Sequence, residues 1–307
     1  MKVVYLSGGV GGARLLEGMA RVLAPEALTA IVNVGDDFEH LGLYVCPDLD
    51  TVLYTLAHLS DMKRGWGLRG ETFRALELLK RYGGEDWFQL GDKDLALHVM
   101  RSAWRAQGER LTSIAARLAR ALEVTCAVLP MSDEPVRTLI ETERDGVLGF
   151  QDWLVRRRGE PRVAGVRFAG MESARATPEA CAALDAADLI VIGPSNPYVS
   201  VDPILALPSV RERLRVKPVL AVSPIVGGRA IKGPLAEMIP TLAGRPPSAG
   251  AIAAHYGELL SGMVVERGDE GSVERVPVFA TDTVMRGARE RKALAAAVLA
   301  FGERLRR

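Results

Sequence analysis

The sequence is poor in the residues that build disulfide scaffolds and zinc sites. Its three cysteines, Cys46, Cys126 and Cys181, lie far apart without a CxxC pair, and its four histidines show no HExxH spacing. Disulfide-rich folds and zinc centres depend on such spacings. Their absence argues against both classes, and widely separated thiols fit a reducing compartment.

Charge of one sign and long apolar runs are also missing. Lys and Arg together number 39 and Asp and Glu 38, so no overall field draws the protein to nucleic acid or to an anionic membrane. No apolar run approaches the ~20 residues of a membrane span, and no leader pattern opens the chain. We therefore expect a cytoplasmic protein with neither nucleic acid nor membrane as a partner.

Short apolar runs alternate with helical patterns along the chain. The runs do not alternate polar and apolar residues, which is typical of strands buried on both faces of a parallel sheet. They cover residues 3–6, 30–34, 124–129, 189–192 and 219–222. The sequence therefore predicts the α/β class, with a Rossmann-like, doubly wound and mostly parallel sheet.

Two segments depart from this alternation. Residues 51–110 lack clear strands and predict a helical insertion, whereas residues 137–150 have two strand-like runs around the turn-prone sequence RDG, which predicts a β-hairpin. No internal repeat or low-complexity tract divides the chain. We accordingly expect one domain over residues 1–307.

A glycine-rich loop joins the first predicted strand to a helix. Gly8, Gly9, Gly11 and Gly12 surround Val10 in the sequence GGVGGAR. Such a loop lets backbone amides and a helix N-terminus approach an anion, and phosphate is the natural ligand. The loop is not a Walker A motif and matches GxGxxG only loosely, so a tight strand-to-helix turn is the alternative.

Acidic residues cluster near the expected crevice of the sheet. Asp36 and Asp37 follow the second strand, and Asp48 and Asp50 precede an apolar helical pattern. In a doubly wound sheet these positions lie beside the glycine loop. Carboxylates near a phosphate indicate Mg²⁺ between them, although one of Asp48 and Asp50 could instead cap the helix.

Polar loops follow two later strands. Ser195 and Asn196 come after the strand at 189–192, and Ser223 and Pro224 after the strand at 219–222. Their side chains suit hydrogen bonds to a nucleotide, while turn formation is the alternative for both loops.

Taken in order, these segments resemble the 2-phospho-L-lactate transferase family of deazaflavin coenzyme F(420) biosynthesis. The resemblance extends from the N-terminus to about Asp282 and is carried by GGVGGAR, NVGDD, CPDLDTVLYTL, RGWG, LGDKDLALH, MSDEPVRT, IGPSNPYVSVDPIL and VSPIVGGRAIKGP. It implies a Mg²⁺-assisted transferase. Such an enzyme moves a phospho-lactyl or phospho-enolpyruvyl group from a guanosine diphosphate-linked donor to 7,8-didemethyl-8-hydroxy-5-deazariboflavin and releases GMP.

The resemblance also implies roles for the candidate residues. Asp50 and Lys93 would contact the deazaflavin, with Asp50 either holding Mg²⁺ or orienting the attacking hydroxyl, and Asp36, Asp37 and Asp48 would be weaker metal ligands. The diphosphate would face the loop from Gly8 to Gly12, where Val10 replaces a Thr common in archaeal relatives. The guanosine side would be lined by Ser195, Asn196, Ser223 and Pro224.

Two other functions remain open from the sequence. One is a nucleotide-sugar-binding regulator of the related gluconeogenesis-factor group, although Asp37 is followed here by Phe38 rather than by the Gly and Ser of that group. The other is a nicotinamide-dependent dehydrogenase, suggested by the glycine loop and by Asp36 after the second strand. The sequence does not distinguish lactate from enolpyruvate, and a homodimer is the default expectation.

Overall fold

The structure is a computed structural model that describes residues 1–306, so Arg307 of the predicted domain lies outside it. The strands in chain order are β1 Val3–Ser7, β2 Leu28–Val32, β3 Phe38–His40, β4 Leu43–Val45, β5 Ala127–Pro130, β6 Arg137–Thr142, β7 Val147–Gly149, β8 Val163–Ala169, β9 Leu189–Ile192, β10 Val219–Val222, β11 Ile225–Val226, β12 Arg229–Ala230, β13 Gly262–Glu266 and β14 Val278–Thr281. The α-helices are α1 Gly9–Ala20, α2 Pro47–Leu56, α3 Arg74–Arg81, α4 Asp92–Ala106, α5 Leu111–Ala121, α6 Pro178–Ala186, α7 Asp202–Ala206, α8 Val210–Arg215, α9 Leu235–Ala243, α10 Ala249–Tyr256 and α11 Ala288–Leu305.

A seven-stranded sheet forms the centre of the molecule, with strand order β14-β13-β10-β9-β1-β2-β5. All of its neighbouring strands pair in parallel. The chain builds outward from β1 through β2 to β5, and then crosses back to β9 on the other side of β1. The space between the carboxyl ends of β1 and β9 is therefore the switch point of the sheet, where open α/β folds bind their ligands.

The predicted fold class is confirmed. The five predicted runs correspond to β1, β2, β5, β9 and β10, shifted by up to three residues at their ends. Residues 51–110 contribute helices and no strand of the main sheet. The predicted hairpin is present as β6 and β7, which pair antiparallel, and β8 adds a third strand to it.

Helix α1 is held close to its neighbours, which fixes the position of the glycine loop before it. Leu15, Leu16 and Met19 are fully buried on the face that packs in the core. Gly18 lies against the backbone of Arg291 in α11, where a side chain at position 18 would collide with the Arg291 carbonyl group. The absence of a side chain there lets the two helices approach closely.

None of the helices in residues 1–306 is long and apolar enough to span a membrane.

Candidate functional site

A cavity of about 970 Å³ opens at the switch point of the sheet. The loops that follow β1, β9 and β10 reach its wall, joined by the start of α2 and by residues 231–235 before and at the start of α9. Its wall includes these predicted site residues: Gly8, Gly9, Val10, Gly11, Asp36, Asp48, Ser195, Asn196, Ser223 and Pro224. The topology thus brings together residues that are up to 216 positions apart in the chain.

The glycine loop is tied to the loop after β9. The Gly8 amide donates a hydrogen bond of 3.3 Å to Ser195 Oγ, and this hydroxyl donates one of 2.7 Å to the Gly8 carbonyl. Helix α1 begins at Gly9 without a side-chain cap from Gly8, so the amides of its first turn lack intrahelical acceptors. Apart from the Gly9 amide, which donates to Asp48, these amides and the positive end of the helix dipole suit an anion in the cavity.

Gly12 is the one residue of the predicted loop that does not line the cavity. It packs inward, against the hydroxyls of Ser7 and Ser195. A side chain at position 12 would collide with both, so this glycine serves close packing between α1 and the sheet.

Asp36 and Asp48 form a buried acidic pair beside the glycine loop. Asn33 connects them, because its amide nitrogen donates to Asp36 Oδ1 and also to Asp48 Oδ2 at 2.9 Å. The other Asp48 oxygen accepts a hydrogen bond of 2.6 Å from the Gly9 amide. Asn33, which we did not predict as a site residue, therefore positions both carboxylates.

The electrostatics of this pair favour a bound cation. Burial raises the pKa of Asp36 well above its ordinary value, and the nearby Asp48 and Asp37 carboxylates raise it further. Burial also raises the pKa of Asp48, although its hydrogen bonds from Asn33 and Gly9 oppose that rise. Two carboxylates in contact with one cavity supply the hard oxygen ligands that Mg²⁺ prefers, so the residues present fit this ion.

Asp37 does not line the cavity. Both of its carboxylate oxygens are buried without a hydrogen-bond partner among the described residues. Burial raises the pKa of Asp37 to about 7, and the Cys46 thiol and the Arg101 and Arg137 guanidinium groups limit the rise. A carboxylate in this condition destabilises the fold when it is ionised.

Asp50 lies behind the cavity wall, where its two oxygens accept hydrogen bonds from the buried Arg101 guanidinium, one of them at 3.0 Å. Asp94 and His98 approach the same carboxylate, and ligand atoms of the three residues lie within 4.8 Å of one another. This group could hold a metal ion, but Arg101 already supplies positive charge to Asp50. The Asp36–Asp48 pair is therefore the better fit for Mg²⁺.

Neither acid at the start of α2 caps that helix. The helix begins at Pro47, so the N-cap position belongs to Cys46, and Asp48 and Asp50 lie within the first turn. The capping alternative for these two residues is therefore wrong. Side chains two positions apart on a helix point to nearly opposite sides, so Asp48 lines the cavity whereas Asp50 contacts Arg101.

Lys93 lies at the start of α4 and does not line the cavity. It is exposed, and its Nζ donates a hydrogen bond of 3.0 Å to the Arg69 carbonyl. The structure thus separates Lys93 from the glycine loop, and it does not bring Asp50 and Lys93 together on the cavity wall.

The polar loops after β9 and β10 were interpreted either as nucleotide contacts or as turns, and they form turns at the cavity wall. The Asn196 side chain accepts a hydrogen bond from the Tyr198 amide, and Ser223 Oγ donates one of 2.8 Å to the Ile225 carbonyl. Both residues therefore stabilise turns. Both also line the cavity, although the Asn196 side-chain nitrogen contacts Met238 Sδ at 3.4 Å.

Aromatic and cationic side chains complete the wall. The aromatic residues are Trp66, Trp87, Phe88 and Phe150, and the cations are Arg14, Lys232 and Arg286. Trp66 is 42% exposed, as expected of a side chain that faces a cavity. None of the three cations was predicted as a site residue, and the one signal in the sequence was the position of Arg14, two residues after Gly12.

The fold and the cavity define a Rossmann-like α/β protein with a large cavity at the switch point of its sheet. Comparison with known proteins identifies its family. Residues 3–286 match the family model of 2-phospho-L-lactate transferase CofD, and the chain belongs to this family. It is accordingly a transferase.

Individual relatives agree with this assignment. A 2-phospho-L-lactate transferase from Methanosarcina mazei is 39% identical over 97% of this chain and 99% of the relative. A phosphoenolpyruvate transferase from Streptomyces griseus is also 39% identical, over 96% of this chain and 98% of the relative. These names do not favour the regulator considered above.

Among solved structures, a UPF0052 family protein from Bacillus halodurans has the same fold. It aligns with a TM-score of 0.63 at 19% identity, over 97% of this chain and 98% of that chain.

Proposed function

We propose that this transferase moves a phospho-lactyl or phospho-enolpyruvyl group from a guanosine diphosphate-linked donor to 7,8-didemethyl-8-hydroxy-5-deazariboflavin, with release of GMP, in coenzyme F(420) biosynthesis. The observation that carries the proposal is one cavity that joins the N-terminus of helix α1, a buried carboxylate pair and an aromatic wall. These parts suit a diphosphate, a divalent cation and a flat acceptor, respectively.

The acceptor's terminal hydroxyl would attack the phosphorus that carries the small acid. A phosphorus–oxygen bond forms, the bond to the GMP oxygen breaks, and GMP leaves with that electron pair. The hydroxyl proton passes to a base as the bond forms. Such a transfer depends chiefly on positioning the reactants and on neutralising the charge of the phosphates. The amides at the start of α1 would supply part of that neutralisation.

Mg²⁺ is the proposed cofactor, with Asp36 and Asp48 as its ligands. When bound, it would neutralise the diphosphate and make the phosphorus easier to attack. Asn33 would keep both carboxylates in place by its hydrogen bonds. Asp37 and Asp50 are weaker candidates, because Asp37 does not line the cavity and Asp50 is paired with Arg101.

Ser195, Asn196, Ser223 and Pro224 are the proposed guanosine contacts, since they line the side of the cavity formed by the β9 and β10 loops. The aromatic residues at the other side, Trp66 among them, would stack on the deazaflavin. Asp50 and Lys93 remain the acceptor contacts implied by the family, and Asp50 remains the predicted catalytic residue. Direct contact between Asp50 and the acceptor would require its ion pair with Arg101 to open.

We also infer that residues 1–307 act as one transferase domain, located in the cytoplasm and assembled as a homodimer.

Replacing Asp48 by Asn tests the metal site. We expect turnover to fall by about 100-fold or more, because a lost metal ligand removes charge stabilisation worth several kcal/mol. The matched control is Asp185→Asn, which changes an exposed carboxylate paired with Arg213 at 2.9 Å, away from the cavity. Titration with Mg²⁺ should separate the two variants, and a fully active Asp48→Asn variant would remove Asp48 from the site.

A further inference from the structure

Two cations at one end of the cavity have no acidic partner. Arg14 lies on α1, and Lys232 lies in the segment before α9; both line the cavity. Neither forms an ion pair with a carboxylate within residues 1–306, and the Nε atom of Arg14 is buried without a hydrogen-bond partner. Buried polar atoms without a partner are few in folded proteins, and a bound ligand is one way to satisfy them.

The two cations also lie near each other, because Lys232 Nζ donates a hydrogen bond to the Gly65 carbonyl and Gly65 lines a small pocket together with Arg14. Burial lowers the pKa of Lys232, and the charge of Arg14 lowers it further. Burial likewise lowers the pKa of Arg14, together with the charge of Arg291. The local field is therefore positive, and an anion bound between Arg14 and Lys232 would relieve the repulsion.

Their position lies between the glycine loop and the aromatic wall. Arg14 is four residues after Val10 on α1, which places it about 6 Å further along the helix axis. Lys232 Nζ donates a hydrogen bond to the carbonyl of Gly65, the residue before Trp66. The space beside the pair is thus beyond the proposed diphosphate position, on the side of the proposed acceptor.

We propose that Arg14 and Lys232 bind the carboxylate of the small acid that the donor carries. This inference depends on the proposed function. Beyond its diphosphate, the donor has one further anionic group, the carboxylate, which lactate and enolpyruvate share. The planar fork of a guanidinium matches a carboxylate with two parallel hydrogen bonds, and an ammonium adds a point charge. The pair therefore orients the transferred group and does not discriminate between the two acids.

The test compares Arg14→Met and Lys232→Met with the control Arg215→Met, an exposed residue on α8 away from the cavity. Calorimetry measures the Kd of GDP, and steady-state assays measure the KM of each donor. We expect either cavity variant to raise the donor KM by about 10- to 100-fold, equally for lactate and enolpyruvate. The Kd of GDP should change by less than about threefold, and Arg215→Met should match the wild type.

A donor analogue with a carboxamide in place of the carboxylate sharpens the test. With this analogue, the KM of the wild-type enzyme should rise by the same factor that Arg14→Met causes with the natural donor. The KM of Arg14→Met should rise little further. A GDP affinity that falls in step with donor affinity would overturn the inference, because the pair would then hold the diphosphate. A fall in kcat with an unchanged donor KM would also overturn it. The proposed function fails separately, if the wild-type enzyme forms no product from either donor.

Discussion

The buried carboxylate of Asp37 gives a prediction with a defined magnitude. Its pKa rises from 3.8 to about 7 on folding, because burial disfavours the charged form. Between these pH values the native state binds the proton more tightly than the unfolded state, so stability falls as pH rises. Above pH 7 the loss of unfolding free energy is constant, and the pKa difference of about 3 corresponds to about 4 kcal/mol.

Replacing Asp37 by Asn removes this cost. The neutral amide leaves its own buried polar atoms unpaired, which costs about 1–3 kcal/mol at every pH. We therefore expect the unfolding free energy of Asp37→Asn to equal that of the wild type or lie slightly below it at pH 5, and to exceed it at pH 8. The change in relative stability between these pH values should be about 3 kcal/mol, since about 2 of the 3 pH units lie above pH 5.

Urea denaturation followed by circular dichroism, with a chelator present, measures this change. The control is Asp282→Asn, whose carboxylate is 81% exposed and paired with Arg267 at 3.1 Å. Exposed pairs contribute about 0–1 kcal/mol, so this control should show a nearly constant difference across the same pH range. An Asp37→Asn difference that does not change with pH would refute the reasoning.

Three further substitutions test the packing of the site. Gly8→Ala should destabilise the protein by about 1–3 kcal/mol and weaken GDP binding in calorimetry, because the added methyl would lie 2.5 Å from Asp48 Oδ2. The control Gly149→Ala places its methyl in open space and should change neither quantity. Arg101→Met should lower the unfolding free energy in urea by about 3–5 kcal/mol, since it leaves Asp50 buried and unpaired. Trp66→Ala should raise the KM of the deazaflavin by about 10-fold with an unchanged Kd for GDP, because an exposed indole contributes mainly stacking.

Much of the fold could be predicted because its signals are local. Each buried strand of the centre of the sheet is a continuous apolar run, and the hairpin has a turn sequence between two strand-like segments. Strands β13 and β14 were not predicted: β13 has only three consecutive apolar residues, and β14 is a half-buried edge strand. Strand β3 is short and pairs only with β4, so its three residues carry little periodicity.

The site was less predictable because its key contacts join distant parts of the chain. Composition and spacing indicated acids near the glycine loop, but not which acid would face the cavity. The partner of Asp50 is Arg101, which is 51 positions away, and Arg14 and Lys232 are 218 positions apart. No local pattern encodes such pairs, since they arise only when helices and loops pack around the switch point.

The most direct test of the proposed function is product formation. Purified protein would be incubated with Mg²⁺, the deazaflavin and either the lactyl or the enolpyruvyl donor, and the products followed by mass spectrometry. We expect GMP and the deazaflavin phosphodiester to appear in equal amounts, from at least one donor and only with the metal present. Folded protein that binds GDP but forms neither product from either donor would contradict the proposed transfer.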